Sequence, residues 1–264
     1  MSDETLEEFW AKMMKIAYDL PSGPEMLFRG VTDENYTLAP SIGRDTAQNT
    51  GNYIDTLEEN LLNEFKRLTV PILKSSPQSE FEWLFLAQHY GLPTRLLDWS
   101  SNPLIGLFFA TEREDEKDGA IYYLQHNVTD QYHLFDYRTA TYTAEYKSAP
   151  ASIFALQENQ GKVIFVRPKY TDERYINQKS VFSCPQDPFS PLDLSSMKKI
   201  IVRSAWKERI RRRLRVLGIS TSFIYPGLAG ISEEIKSLFF NPVACGKTQM
   251  LTFRCDISLG QGAL

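Results

Sequence analysis

Three short stretches gather residue types that do chemistry. In Phe28-Arg29-Gly30 an arginine closes an apolar run and a glycine follows it. A strand-end guanidinium is a fixed cation with a fork of donors, and glycine lets a backbone or ligand come close. That pairing suits an anion in a cleft. An ordinary strand-end arginine is the plainer reading. The second stretch, Ala87 to Ser100, packs His89, Tyr90, Thr94, Arg95, Asp98, Trp99 and Ser100 around a corner made by Gly91 and Pro93. Asp98 lies in an apolar run, where an unpaired carboxylate is costly. It is expected to be paired, with Arg95, Arg29 or His89 as candidates. The pair either shapes a site or only holds the corner. In the third, Arg174 to Phe182, a polar turn carrying Gln178 leads into a strand.

A fourth feature is electrostatic. Lys198, Lys199, Arg203, Lys207, Arg209, Arg211, Arg212, Arg213 and Arg215 fall within 198–215, opposed in that window by Glu208. On a helical wheel Trp206, Ile210, Leu214 and Leu217 form a buried stripe, and Arg211, Arg212 and Arg215 point away from it. The run is either a solvated face or a phosphate-binding face on an acidic protein.

The elements that must position these residues are legible in the periodicity. Leu6, Phe9, Trp10, Met13 and Ala17 predict a helix over 3–20 capped by Asp3, ended by Pro21-Ser22-Gly23-Pro24. Met26 to Arg29 reads as a strand and 31–52 as polar turns. Helices follow over 54–69 and 79–90. Arg95 to Trp99 is a buried strand. Asn102-Pro103 opens a helix that is apolar nearly all round through Ala110. The acidic run from Glu112 to Asp118 reads as a solvated turn before a strand at 119–124. Residues 125–160 read as a long polar excursion. Strands follow at 162–166, 181–183 and 199–202. Ser204 caps a helix over 205–217 ended by Gly218, and Leu228 to Phe239 is the last helix. Helices gather early and strands late, so the fold class is α+β.

Composition excludes whole classes. The chain has 264 residues, 42% hydrophobic and 23% charged, which rules out a disordered, collagen-like or coiled-coil protein. The net charge of −4 gives no global field for nucleic acid, so any basic patch is local. Cys184, Cys245 and Cys255, with His89, His126 and His133, match no zinc, redox or metal-ligand spacing, and no metal is expected. No apolar run is long enough to span a bilayer, and the acidic start lacks signal-peptide order. A cytoplasmic protein is expected.

Together these residues resemble the FRG-domain family, named for a Phe-Arg-Gly motif that Phe28-Arg29-Gly30 supplies. Pro40-Ser41 with Arg44, the run from Phe81 through Trp99, the Asn102–Ala110 helix, Asp118-Gly119-Ala120, Arg174-x-x-x-Gln178-x-x-x-Phe182 and Leu217-Gly218-Ile219 follow in family order. Two departures are Ser180, where the family has glycine, and a looser Tyr225 to Gly230 ending. FRG domains in turn resemble the ADP-ribosyltransferase fold. The resemblance implies a single domain over 1–264, with an N-terminal helix (1–20), a core (26–240) and a C-terminal extension (241–264). It implies a split mixed or antiparallel sheet gripping NAD, and no metal. Arg29 takes the first motif, and Leu97 to Ser100 with the helix after it takes the second. Gln178 stands where a catalytic Glu is usual.

In the implied site Phe28, Arg29, Gly30, Tyr90, Thr94, Trp99 and Ser100 hold NAD, with Tyr90 and Trp99 as aromatic walls. Arg29, His89, Asp98 and Gln178 carry catalysis. Asp98 or Glu173 replaces the missing carboxylate and His89 serves as general base. Standalone members resemble toxins of toxin–antitoxin and phage-defence loci. The implied acceptor is a macromolecule, RNA before protein, contacted through Arg211, Arg212 and Arg215. An antitoxin or regulatory protein is an implied partner. A binding module without chemistry and a nucleic-acid binder remain the alternatives. Arg29 is expected to share one cleft with the His89–Asp98 corner.

Overall fold

The computed structural model describes residues 4–18, 26–46, 54–73, 75–77, 79–113, 115–125, 132–136, 163–168, 172–185 and 187–240. Helix α1 spans Leu6–Tyr18 and buries Leu6, Phe9 and Met13. Its cap is Thr5 and not Asp3, which lies outside the described residues. The Thr5 hydroxyl accepts from the Glu8 N–H, and Glu8 reaches back to the Thr5 N–H at 2.7 Å. This reciprocal box satisfies two orphan donors at once.

Strand β1 (Met26–Val31) follows, then α2 (Ser41–Thr46), a short helix inside the stretch expected to be turns. Helices α3 (Ile54–Thr69) and α4 (Glu80–His89, capped by Ser79) match their periodicity. Strand β2 is Leu97–Ser100. Helix α5 (Pro103–Thr111) starts as predicted, with Asn102 accepting from the Leu104 N–H. Strands β3 (Gly119–Gln125), β4 (Tyr132–Asp136) and β5 (Val163–Arg167) come next. The rest of the 125–160 excursion lies outside the described residues, as do Cys245, Cys255, His126 and the 241–264 extension.

The segment read as a polar turn is a helix, α6 (Glu173–Gln178). Asp172 caps it by accepting from Arg174, and Lys179 ends it at φ 48°, turning the chain sharply into β6 (Ser180–Cys184). Strand β7 (Lys198–Val202), α7 (Ser204–Val216), α8 (Thr221–Ile224) and α9 (Leu228–Phe240) are the remaining elements among the described residues. Gly218, at φ 84°, closes α7 as a left-handed cap.

The seven strands form one mixed sheet in the order β4-β5-β6-β2-β1-β3-β7, antiparallel at every pair but β4–β5. The expected α+β class and mixed sheet flanked by helices are therefore present. Strand β1 pairs with β3 along its length, from Met26–Gln125 to Val31–Ala120. With β2 it registers at Phe28–Ser100. The sheet thus has two halves, β4-β5-β6-β2 and β1-β3-β7, hinged at that pair.

Apolar alternation assigns the faces. Phe28 and Ile121 face α1, α5 and α7, where they join Phe9, Ile105, Phe108, Ile210 and Leu214. Leu27, Val31, Leu97 and Trp99 join Phe165, Val181, Leu192 and Leu194 in a second core. A third lies under α3 and α4, built on Phe81, Phe85, Tyr175 and Phe182. Each fully buried phenylalanine contributes roughly 1.5–3 kcal/mol. No helix among the described residues is long and apolar enough to cross a membrane.

Candidate functional site

Close packing fixes Arg29. A Cβ on Gly30 would stand 2.0 Å from the Gly106 carbonyl oxygen and 2.5 Å from the Ala110 nitrogen. Only glycine lets α5 lie that close to β1, so the strand carrying Arg29 is held from its far face. The Arg29 Nη1 donates to the Asp98 backbone carbonyl at 2.6 Å, across the joint between the sheet halves. Its Nη1 is also 3.9 Å from the Asp98 carboxylate. The Arg29 Nε is buried and has no hydrogen-bond partner. Burial lowers the pKa of the guanidinium from its ordinary value; Asp98 opposes that shift and Arg44 adds to it.

A cavity of about 280 Å³ opens at this joint. Arg29, Arg44, Asp98 and Gln178 line it, with Tyr36 and Phe109 as rings. A second cavity, of about 500 Å³, adjoins it. Glu112, Arg174 and Tyr225 line both, so they form the wall between them. The Tyr225 hydroxyl donates to Glu112 Oε2 at 3.0 Å, and the Arg174 guanidinium lies 5.1 Å from the Tyr225 ring centre. Burial raises the Glu112 pKa above the ordinary carboxyl value, against the pull of Arg113, the Tyr225 bond and Arg174.

The residues expected in one site are divided between these places. Arg29, Gly30, Asp98, Ser100 and Gln178 line the smaller cavity together. His89 and Tyr90 line the larger one, so the expected sharing of one cleft holds for Asp98 and not for His89. Burial, then Arg174, lowers the His89 pKa while Asp172 opposes them, so the imidazole is neutral near pH 7. Its Nδ1 is buried and unpartnered.

Three expected ligand contacts have side chains with structural roles. Thr94 is buried in the corner, where its N–H donates to Ser41 and its hydroxyl bonds Gln88. Phe28 and Trp99 border the smaller cavity, but the Trp99 ring lies in the core. It packs edge-on against Phe165 and its N–H donates to Ser183, because alternation along β2 turns it into the second core. The Phe28 side chain is likewise in the core against α5.

Asp98 is paired as expected, through Arg29, one of the three candidates, at 3.9 Å. Its side chain is 47% exposed, so it does not need a buried partner. Arg95 instead forms a buried ion pair with Glu58 of α3, with Nε donating at 2.8 and 2.9 Å. Gln178 is buried; its amide donates to the Ile224 carbonyl and its own carbonyl accepts from Ser100. Glu173, the other replacement carboxylate, is exposed and lines neither cavity.

The acidic run is a turn, with Glu116 exposed as expected, but its other described carboxylates are engaged. Glu112 is the cavity wall, Asp115 pairs with Arg211 at 2.5 Å, and Asp118 accepts from the Ser204 N–H at 2.7 Å. That last bond makes Asp118 the cap of α7, in place of Ser204. The same contacts change the reading of the basic run. Lys207 is fully buried and donates to the Thr32 and Arg113 carbonyls. Arg211, expected off the buried stripe, is buried because α7 is covered on that side too by the end of α5. Arg212 pairs with Glu208, Arg213 with Glu7, and Arg203 with Asp118. Leu217, assigned to the buried stripe, is 55% exposed. Arg215 lines the larger cavity.

Sequence reading missed Tyr36, Glu112, Arg174 and Tyr225 as cavity residues. Glu112 had a signal, since it directly follows an apolar helix that packs on β1. The other three come from loops and short helices whose meeting no local pattern announces.

Residues 24–119 match the FRG domain family, so the chain carries an FRG domain over that range. The match runs from just before β1 to the start of β3, and takes in Arg29, Asp98 and Glu112. No curated protein and no solved structure matches the chain.

Proposed function

We propose that this protein is an NAD-dependent mono-ADP-ribosyltransferase, built on an ADP-ribosyltransferase-type sheet and acting as a toxin on a macromolecule, RNA before protein. One observation carries the reading: the part-buried Arg29 guanidinium, with a buried and unpartnered Nε, in a cavity at the hinge between two sheet halves. A buried donor without a partner costs about 1–3 kcal/mol, and an anionic ligand relieves that cost. Arg44 on the same cavity supplies a second positive charge, as a pyrophosphate requires.

The smaller cavity takes part of a dinucleotide, and the rest lies along its exposed rim at Tyr36 and Arg44. Phe109 and Tyr36 are the rings available for the nicotinamide, replacing Tyr90 and Trp99 in that role. Transfer breaks the bond between nicotinamide and ribose C1′, and nicotinamide leaves with the electron pair. The acceptor's lone pair forms the new bond to C1′ and its proton goes to a carboxylate. Asp98 stands where it can offset positive charge on the ribosyl group. Glu112, with its raised pKa, is the proton acceptor. Gln178 is a positioning residue, since its amide ties α6 to α8.

The test is incubation with labelled NAD and separate pools of RNA, DNA and protein. Label transferred to one pool, with nicotinamide released in proportion, supports the reading. If no pool is labelled and NAD stays intact, the FRG fold here serves binding alone, as the Gln178 tie to Ile224 would allow.

A further inference from the structure

The larger cavity, of about 500 Å³, lies within the size range of small-molecule sites, which are concave, mostly apolar and carry a few placed polar groups. Phe108, Ile219, Tyr225 and Pro226 give it apolar walls. Tyr90 lines it while 70% exposed, set edge-on to His89 at 4.9 Å between ring centres. Its charges are answered within the protein. Glu112 accepts from Tyr225 and lies in the field of Arg113. Arg211 pairs with Asp115, Glu233 pairs with Lys236, and Arg215 acts on Glu234. Arg174 donates to the His89 carbonyl and lies over the Tyr225 ring. Charge therefore gives the cavity no preference for an ion of either sign. Among the neutral groups that line it, the His89 Nδ1 is buried with no hydrogen-bond partner, on an imidazole that burial and Arg174 keep uncharged. A buried polar atom in that state is costly, and a hydrogen bond from an occupant relieves the cost.

We propose that this cavity binds a neutral, planar nitrogen heterocycle of one or two rings, the class to which the free nucleobases belong. Its face lies against the Tyr90 ring and its edge meets the His89 Nδ1. A neutral imidazole nitrogen either donates or accepts, according to tautomer. A heterocycle edge with a ring nitrogen beside an N–H serves both cases. Glu112 and Tyr225 also line the smaller cavity, so the occupant lies against the wall that the two cavities share. Binding here requires no NAD and no transfer step, and it adds a second small-molecule site to the one at the hinge.

The experiment is equilibrium dialysis of the full chain against labelled adenine and uracil, a two-ring and a one-ring probe, without NAD. Saturable binding of at least one probe is expected. Ala229 lines the cavity from an exposed position on α9, so Ala229→Trp fills the cavity with little disturbance of the fold and should abolish binding. Tyr90→Ala should weaken it about tenfold, within the range for loss of one stacked base. His89→Phe keeps a ring and removes the nitrogen, and should weaken it about fivefold, the size of one neutral hydrogen bond. Circular dichroism checks that each variant is folded. Arg29→Ala, in the other cavity, should bind the probe as wild type does. Competition by adenosine 5′-monophosphate reads the charge, and it should be no tighter than adenine. The proposal is overturned if neither probe binds, or if Ala229→Trp binds like wild type. It is equally overturned if Tyr90→Ala and His89→Phe both bind like wild type, if Arg29→Ala loses binding, or if the monophosphate competes more than about tenfold better than adenine. NAD turnover without probe binding sinks this inference and leaves the transferase reading; probe binding without turnover does the reverse.

Discussion

The hinge of the sheet and the helix α7 hold the two most conspicuous sets of cations, and they have opposite fates. Along α7 the charges are answered from distant segments: Asp115 and Asp118 from the loop after α5, Glu7 from α1, and two backbone carbonyls for Lys207. At the hinge Arg29 has one backbone carbonyl at 2.6 Å and no carboxylate nearer than 3.9 Å, and its Nε, like those of Arg211, Arg212 and Arg215 on α7, has no hydrogen-bond partner. A dense charge run is thus mostly scaffold here, and the sparse cation is the one without a close carboxylate. The physical reason is supply. A helix on the rim of the fold meets acidic loops on both sides, whereas a strand inside a parting sheet meets only backbone and one half-exposed carboxylate.

The largest expected effect breaks the hinge side of that contrast. Arg29→Ala should lower NAD turnover by about 10²–10³, the cost of removing one preorganised donor. Its fold should survive, because Gly30 and the β1–β3 pairing still hold the strand. Circular dichroism and steady-state rates check the two halves of the statement. Arg29→Lys should recover little, since an ammonium cannot reproduce the fork. Normal turnover in Arg29→Ala would move the binding determinant elsewhere.

On the helix side the expected effect is on stability. Lys207→Met removes a buried cation and leaves the Thr32 and Arg113 carbonyls without that donor. A loss of about 3 kcal/mol is expected, read from urea denaturation midpoints at unchanged slope. NAD turnover measured well below the unfolding transition should be near wild type. The reverse outcome, a stable protein with lost activity, would make α7 part of the site.

The wall between the cavities sharpens the comparison through pH. Glu112→Gln should cost about 10² in transfer rate if that carboxylate takes the acceptor proton. The same variant has a stability signature. The folded pKa of Glu112 is raised, so the native state binds the proton more tightly than the unfolded chain. Wild-type stability from this group is therefore full below the unfolded carboxyl pKa and falls as pH rises through the folded one. Glu112→Gln has no such loss and still accepts the Tyr225 hydrogen bond. Its melting temperature should match wild type in acid and exceed it increasingly as pH rises through that window. A constant offset at every pH would mean that Glu112 does not titrate there.

Much of this architecture was open to reading in the sequence, and the failures have a common cause. Helices α3, α4 and α5 follow from apolar period and cap residues, which are local. Arg29 and Asp98 are legible together because a strand-end arginine and a carboxylate in an apolar strand are both locally anomalous. The resemblance places Trp99 and Thr94 in the site because they belong to the same short polar corner as Asp98. Strand alternation then sent neighbours to opposite faces: Asp98 to the cavity and Trp99 to the core. The pairing of Arg95 with Glu58, and of Arg211 with Asp115, depends on which helix lies over which loop. No spacing carries that information. The turn read at Arg174–Gln178 became a helix because Asp172 caps it and Lys179 tolerates a left-handed end, a pattern too short for periodicity to show.

The smallest expected effect tests the helix side at its weakest point. Arg212 is 41% exposed at the side chain and is held within α7 itself. Its partner Glu208 is one turn earlier, at 2.6 Å. Exposed helical pairs of this spacing contribute about 0.3–0.5 kcal/mol, and salt screens them. Arg212→Ala should therefore lower stability by no more than that at low ionic strength and by less in about 0.5 M salt, where the Debye length is well below 10 Å. Glu208→Ala should cost a similar amount, and the double variant no more than either alone, as for two members of one pair. If instead Glu208→Ala tightened nucleic-acid binding, Arg212 would be a phosphate ligand held in check by its neighbour. The division between a structural helix and a binding hinge would then have to be redrawn at that residue.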